Sequence, residues 1–214
     1  MTQAIFSSFR RCPYAMRGRM ALHVSQLDYE HREVVLREKP AHMLEVSPKG
    51  TVPVFINEDG DVIEESLQLM QYALEQNDPY GWLDCSQENA AALISVNDGP
   101  FKFHLDRYKY ASRYKSVERG ELDLSHREQA EKHLAVLNAK LANTPFLLGN
   151  KQSYADIAIF PFVRQFANTD INWWNSNPYS NLQDWLTRYI HSDLFLTIMT
   201  KFPQWVPPTK PFKI

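Results

Sequence analysis

The residue with the clearest chemical potential is Cys12, which stands in the sequence CPYA directly before Pro13. Pro13 suits the first position of a helix, because the amide at that position has no partner within the helix. Cys12 would then be the helix N-cap, where unpaired backbone N–H groups and the positive end of the helix dipole favour a thiolate. Four nearby arginines would add to this effect if they face the sulfur: Arg10, Arg11, Arg17 and Arg19.

The tetrapeptide alone leaves a second interpretation open, in which Cys12 is a buried cysteine without a chemical role. A dithiol redox site would have its second cysteine where this chain has Ala15. The other cysteine, Cys85, is not positioned by sequence to replace it. A disulfide formed at Cys12 would therefore have to be resolved by an external thiol, which requires a small thiol cofactor and a pocket for it.

Two further motifs suit such a pocket. KGTVPV places Pro53 at the start of a predicted strand, where a trans proline is tolerated and a cis Val52–Pro53 bond would turn the Val52 backbone towards a ligand. The sequence EES places Glu65 and Ser66 at a predicted helix N-terminus. Glu65 would bind an ammonium group there, and the Ser66 hydroxyl with the helix amides would bind a carboxylate. The predicted ligand carries both charges.

The elements that must position these residues make up the first part of the chain. Residues 2–76 alternate strand-like and helical patterns in the order strand, helix, strand, helix, strand, strand, helix. This order predicts a small mixed sheet covered by helices. The first helix is predicted from Pro13 to about Leu27, with one apolar face, and the last helix is predicted to begin with Ser66 as its N-cap.

The second part has a different pattern, with no strand predicted after residue 77. Helices are predicted near residues 87–114, 126–143, 153–168 and 180–200, which indicates an α-helical bundle. Ser153 and Asp156 form a predicted capping box at the third of these helices. The predicted domains are 1–77 and 87–214, joined by a linker over 78–86.

Composition and charge narrow the class of protein. The chain has 214 residues, 44 % of them hydrophobic, and a formal net charge of -2 without a basic stripe for nucleic acid. Its apolar runs, such as IAIF, are far short of the roughly 20 residues that cross a bilayer, and the N-terminus lacks the pattern of a secretory signal. The histidines and cysteines form no metal motif. We expect a cytoplasmic protein with no metal, nucleic-acid or membrane partner.

CPYA, KGTVPV and VIEES occur in this order and are followed by a helical half that contains SYADIAIFPF. In these motifs the chain resembles a cytosolic glutathione transferase of the cysteine type, similar to the omega class, and most resembles a bacterial member of that superfamily. The resemblance covers nearly the whole chain. It implies the glutathione transferase fold, an α/β thioredoxin-like N-terminal domain plus an all-α C-terminal helical bundle.

The resemblance also implies how glutathione would be held and used. Cys12 would form a mixed disulfide with glutathione. The backbone of Val52, before a cis Pro53, would pair with the cysteinyl part of glutathione. These implied roles concern the reacting end of the ligand.

The remaining implied roles concern the two charged ends of glutathione. Glu65 and Ser66 would hold the γ-glutamyl end, and Lys39 would lie near the glycyl carboxylate. Two more residues would line the site: Tyr14 and Leu36.

The resulting hypothesis is a glutathione-dependent thiol transferase or reductase in which a second glutathione releases the first from Cys12. Its partners would be glutathione, a small electrophilic or disulfide substrate, and a second copy of the chain in a homodimer. The alternative is a non-catalytic regulatory or scaffolding protein of the same fold, against which the retained motifs argue. The sequence leaves the second substrate open.

Overall fold

The computed structural model describes residues 3–207 and 212–213. The chain divides into two compact units: the first comprises Met1–Tyr80 and Ser192–Ile214, and the second comprises Gly81–His191. These packing units group the chain differently from the predicted domains 1–77 and 87–214, because the last part of the chain packs with the N-terminal part. The domain limits themselves stay a prediction.

A mixed sheet forms the centre of the first unit, with the strand order β4-β3-β1-β2-β5. Its strands are β1 Ile5–Ser8, β2 Glu30–Glu33, β3 Val54–Ile56, β4 Val62–Ile63 and β5 Phe212–Lys213. The pair β1 and β2 is parallel, and the other pairs are antiparallel. The sequence predicts no strand after residue 77, so β5 corrects that expectation.

The helices follow the predicted alternation as far as α3. In chain order they are α1 Pro13–Val24, α2 Ala41–Val46, α3 Ser66–Gln76, α4 Gln87–Val96, α5 Lys102–Lys109, α6 Leu124–Leu141, α7 Tyr154–Ala167, α8 Ile171–Ser176, α9 Ser180–Ile190 and α10 Asp193–Ile198. Within residues 3–207 and 212–213, no helix combines the length and apolar character that crossing a bilayer demands.

Helix α1 is buried more completely than its sequence predicts. It packs against α3 and α10 in the first unit, so side chains on several of its faces are enclosed. The buried residues include Arg17 and Arg19 as well as Met16 and Met20. Met16, Met20 and Val24 are buried as predicted, but the helix ends at Val24 instead of near Leu27, and its buried surface is wider than that one face.

The segment after α10 is attached to β2 by the side chain and backbone of Trp205. The Trp205 indole donates a hydrogen bond to Oε1 of Glu30 at 3.1 Å, and its backbone N–H donates to the Glu33 carbonyl at 2.9 Å. The Arg32 guanidinium lies 4.3 Å from the centre of the Trp205 ring. These contacts explain why residues from 192 onwards belong to the first unit.

In the second unit, the predicted helix 87–114 is interrupted. A π-helical segment, Asn97–Phe101, joins α4 to α5 and contains Pro100, which has no amide proton for a regular helical hydrogen bond. The predicted helix 180–200 is also divided, because α9 ends at Ile190.

A new helix, α10 of the first unit, begins after Ser192. The Ser192 hydroxyl accepts a hydrogen bond from the Phe195 amide at 3.2 Å and caps α10. The short α8 was not predicted, since six residues give little periodic signal.

The predicted capping box at the start of α7 is confirmed. Asp156 is fully buried, and its Oδ2 accepts from the backbone N–H and the hydroxyl of Ser153 at 3.0 and 2.6 Å. Its Oδ1 accepts from the Leu147 amide at 3.0 Å and from the Trp185 indole at 2.9 Å. One carboxylate thus satisfies four donors from three parts of the second unit.

Candidate functional site

Cys12 occupies the N-cap of α1, as the sequence predicts, with Pro13 as the first helical residue. Its backbone is extended, and its carbonyl accepts the Met16 amide at 3.0 Å. No side-chain hydrogen bond caps this helix. Cys12 is half-buried at the N-terminus of this helix.

The sulfur of Cys12 also faces the second motif of the sequence. Its Sγ lies 3.6 Å from the carbonyl oxygen of Val52, although the two residues are 40 positions apart. The Val52–Pro53 peptide bond is cis, which decides between the two possibilities left open by the sequence. Cys12 packs against a buried cluster that includes Val34 and Val52. CPYA and KGTVPV therefore form one site.

Ser66 lies at the start of α3, where it contacts an arginine of α1. The helix begins at Ser66, and Glu65 is the N-cap, so the prediction of Ser66 as N-cap is wrong by one position. The reason is that the Glu65 carbonyl already accepts the first helical hydrogen bond, from Leu69 at 2.9 Å. Ser66 is buried, and its hydroxyl accepts from Arg17 at 3.3 Å.

Arg17 connects this end of α3 with Tyr14. Its guanidinium lies 5.6 Å from the centre of the Tyr14 ring, and its side chain is completely buried. A buried positive charge next to the Ser66 hydroxyl favours a negatively charged ligand group at the α3 N-terminus. The sequence indicates no such role for Arg17.

Glu65 and Lys39 lie on more exposed parts of the first unit. Glu65 is exposed, and its Oε1 is 2.5 Å from the Lys49 ammonium. Lys39 lies against Gly50, since a methyl group placed on Gly50 would be 3.6 Å from the Lys39 Nζ. Leu36 is 43 % exposed in the turn after β2. Within the described part of the chain, no hydrogen bond or ion pair joins Leu36 or Lys39 to the other candidate residues.

The sequence offers Arg19 only as one of four arginines that would add positive potential near Cys12, and it does not predict the burial of this residue. Arg19 is 2 % exposed, and it donates to the Ser8 hydroxyl at 2.6 Å and to the Arg10 carbonyl at 2.5 Å. Burial lowers the pKa of Arg19 to about 10, while Glu33, Tyr29 and Cys12 act in the opposite direction. An arginine usually indicates a surface position, so only the packing around α1 shows this one.

Two family models match the chain. Residues 6–82 match the glutathione S-transferase N-terminal domain, and residues 98–193 match the glutathione S-transferase C-terminal domain. The chain belongs to the glutathione transferase superfamily. All candidate site residues fall within the stretch that matches the N-terminal domain of this superfamily.

Individual glutathione transferases agree with the family models. Glutathione S-transferase omega-1 of Rattus norvegicus is 27 % identical over 175 residues, which are 77 % of this chain and 68 % of the relative. The probable glutathione S-transferase DHAR1, cytosolic, of Oryza sativa subsp. japonica is 29 % identical over 150 residues, 70 % of this chain and 64 % of the relative.

A solved structure shows the same fold. It is a glutathione transferase family member from Pseudomonas fluorescens pf-5, described with two glutathione bound, and it is 17 % identical with a TM-score of 0.74 over 92 % of each chain. The mixed sheet with helices and the separate helical unit are thus the two parts of the glutathione transferase fold, as predicted. Among the described residues, no group of three or more His, Cys, Asp or Glu side chains is placed to hold a metal ion.

Proposed function

We propose that this glutathione transferase is a thiol transferase or reductase that takes glutathione as its co-substrate and uses Cys12 as the nucleophile. The observation that carries the proposal is the place of the Cys12 sulfur, at the N-terminus of α1 and 3.6 Å from the Val52 carbonyl. A thiolate is favoured at a helix N-terminus. Relatives named glutathione S-transferase omega-1 and glutathione S-transferase DHAR1 support a glutathione-dependent transferase.

The reacting end of glutathione would bind between Cys12 and Val52. The Cys12 thiol donates a hydrogen bond to the Val52 carbonyl at 3.6 Å, and in the complex this carbonyl would also accept the amide of the cysteinyl part of glutathione. Pro53 follows in a cis peptide bond. Tyr14, in the first turn of α1, would form a wall beside this pocket.

The charged ends of glutathione would bind on either side. Ser66, with the Arg17 guanidinium at 3.3 Å, offers a hydroxyl and a positive charge to the γ-glutamyl carboxylate, and Glu65 offers a carboxylate to its ammonium. Lys39, beside Gly50, would meet the glycyl carboxylate, with Leu36 as an apolar neighbour. These assignments make every predicted binding residue part of one ligand site.

The proposed reaction is two successive thiol–disulfide exchanges. The Cys12 thiolate attacks the glutathione sulfur of a mixed disulfide, a Cys12–glutathione bond forms, and the substrate thiolate leaves and takes a proton from water. The thiolate of a second glutathione then attacks that bond, which yields oxidised glutathione and restores the Cys12 thiolate. The second substrate is a small disulfide or electrophile, and the active assembly is a homodimer.

The test is intact-mass spectrometry after incubation with oxidised glutathione, combined with a thiol-transfer assay. We expect one glutathionyl adduct on the wild-type protein and on the control Cys85→Ala, and none on Cys12→Ala. Turnover should follow ping-pong kinetics and be lost in Cys12→Ala. An adduct on Cys85, or full turnover by Cys12→Ala, would overturn the mechanism. Glutathione binding without adduct or turnover would favour the non-catalytic alternative.

A further inference from the structure

Arg19 places a positive charge inside the first unit, behind the turn that leads to Cys12. Its two terminal nitrogens bind this turn at both ends, one at the Ser8 hydroxyl at 2.6 Å and the other at the Arg10 carbonyl at 2.5 Å. Ser8 is the last residue of β1, and Arg10 is two residues before Cys12. The guanidinium therefore fixes the chain on the approach to the proposed nucleophile.

The charge of Arg19 has no carboxylate in contact with it among residues 3–207. Glu33 is the carboxylate with the largest electrostatic effect on Arg19. Its Oε1 accepts a hydrogen bond from the Arg10 amide at 2.8 Å, and its Oε2 lies 3.2 Å from the His31 ring. The Nε of Arg19 is buried without a hydrogen-bond partner. Both atoms that Arg19 binds are uncharged oxygens, so its burial is only partly compensated.

Burial lowers the pKa of Arg19, and three groups act in the opposite direction: Glu33, Tyr29 and Cys12. Burial raises the pKa of Tyr29 to about 12, so this phenol is uncharged at neutral pH. The negative charges that can stabilise the guanidinium are those of Glu33 and of a Cys12 thiolate. Electrostatic interaction is reciprocal, so the energy by which a Cys12 thiolate stabilises Arg19 also stabilises the thiolate.

We propose that Arg19 is a positioning residue for the thiol-transfer reaction, which holds the turn before Cys12 and supplies the internal counter-charge of its thiolate. The inference rests on the proposed function, because it assigns a role in preparing the same nucleophile. Other charged or titratable groups act on Arg19 and contribute to the same field, namely Arg10, Tyr29 and Glu33, and His31 contacts Glu33.

Arg17 provides a matched control within the same helix. It is two residues away and equally buried, but it donates to Ser66 and lies by the Tyr14 ring. Loss of Arg17 should therefore raise KM for glutathione, whereas loss of Arg19 should change the ionisation of Cys12. Arg17→Met and Arg19→Met each remove one positive charge from α1, but the first is expected to change KM for glutathione and the second the thiol midpoint of Cys12.

The experiment titrates the Cys12 thiolate by its ultraviolet absorbance in a Cys85→Ala background, without glutathione. We expect Arg19→Met to raise the thiol midpoint by about 1 pH unit or more, which lowers the thiolate fraction by about tenfold at pH values well below both midpoints. Arg19→Lys keeps the charge and should restore most of the shift. Arg17→Met should leave the midpoint much closer to that of the parent protein.

A folded Arg19→Met protein with the parent midpoint would overturn the inference, and so would an equal shift in Arg17→Met. If Arg19→Met does not fold, Arg19→Gln and Arg19→Lys are compared, since glutamine keeps a hydrogen-bond donor and loses the charge. Equal midpoints in those two would overturn it as well. The titration does not depend on turnover. If Arg19→Met raises the Cys12 thiol midpoint as expected but the parent protein shows no thiol transfer, the proposed function is contradicted and the role of Arg19 is not.

Discussion

Helices α1 and α7 differ in how their N-termini are capped. At α7 the buried Asp156 accepts four hydrogen bonds, and every one of its donors comes from the second unit itself. At α1 the N-cap is Cys12, which makes no side-chain cap hydrogen bond, and the first helical residue is a proline. The α7 terminus is capped by a side chain of its own helix, whereas the α1 terminus has no side-chain cap hydrogen bond, and the proposed function places the glutathione thiol there.

The other helices do not divide by unit, because α5 and α9 of the second unit have no side-chain cap hydrogen bond, whereas Ser192 caps α10 of the first unit. Side chains cap α4, α6 and α8 of the second unit through Ser86, Asp123 and Asp170. Helix α3, which carries Ser66, has Glu65 at its N-cap and no side-chain cap hydrogen bond. The two helices that bear the proposed glutathione contacts are therefore both without such a cap.

The strongest challenge to this comparison is Asp156→Ala. The substitution leaves the buried N–H groups of Leu147, Ser153 and Trp185 without an acceptor, at about 1–3 kcal/mol for each. We expect the free energy of unfolding in chemical denaturation to fall by about 3 kcal/mol or more, while folded protein keeps its Cys12 thiol midpoint. Ser153→Ala, the milder control, should cost about 1 kcal/mol. If Asp156→Ala lowers the free energy of unfolding by less than about 1 kcal/mol, α7 does not depend on its capping carboxylate.

A second prediction concerns His133 in α6, one of several residues of the second unit with a buried polar atom that has no hydrogen-bond partner. Its Nε2 is buried without a hydrogen-bond partner, and burial lowers the pKa of His133 to about 4. The unfolded chain, with an ordinary pKa near 6.5, binds a proton more readily, so stability is lost as pH falls from about 6.5 to about 4.

The free energy of unfolding is expected to be lower by an amount on the order of 3 kcal/mol when the pH has fallen to about 4. Denaturation of His133→Leu at several pH values should show a correspondingly weaker decline, because leucine cannot take up the proton. The same acid sensitivity in the variant and the parent protein would assign it to other groups.

The smallest expected effect is at the α3 terminus, where Lys49 contacts Glu65. This exposed pair is worth at most about 1 kcal/mol, and the ligand ammonium would compete with Lys49 for the carboxylate. Lys49→Met should lower KM for glutathione by at most about fivefold, and the difference should shrink at high salt. Lys49→Arg keeps the ion pair and should behave like the parent protein. A higher KM in Lys49→Met would show that Lys49 helps to bind the ligand.

Local signals predict much of this molecule. Pro13 marks the start of α1 and so places Cys12 at the N-cap, and the Ser153 and Asp156 spacing predicts the capping box, because both depend on neighbours within one turn. The Ser66 boundary is wrong by one residue, since helix starts vary by that amount with local hydrogen bonding.

Features that depend on distant packing were not predicted. Arg17 and Arg19 are buried because α3 and α10 pack on α1, which no local pattern indicates. Strand β5 has two residues and exists through pairing with β2, in which Glu30 lies opposite Lys213. Contacts of this kind are decided by the whole fold, as is the Arg17 link between Tyr14 and Ser66.

The pairing of β5 with β2 has a consequence for synthesis on the ribosome. Strand β2 leaves the ribosome early, but its outer edge is not covered until Phe212 and Lys213 have been added at the far end of the chain. At about 5–20 residues per second, the roughly 180 intervening residues take about 10–35 seconds to make. During that interval the growing chain carries an open strand edge, which other nascent chains can pair with.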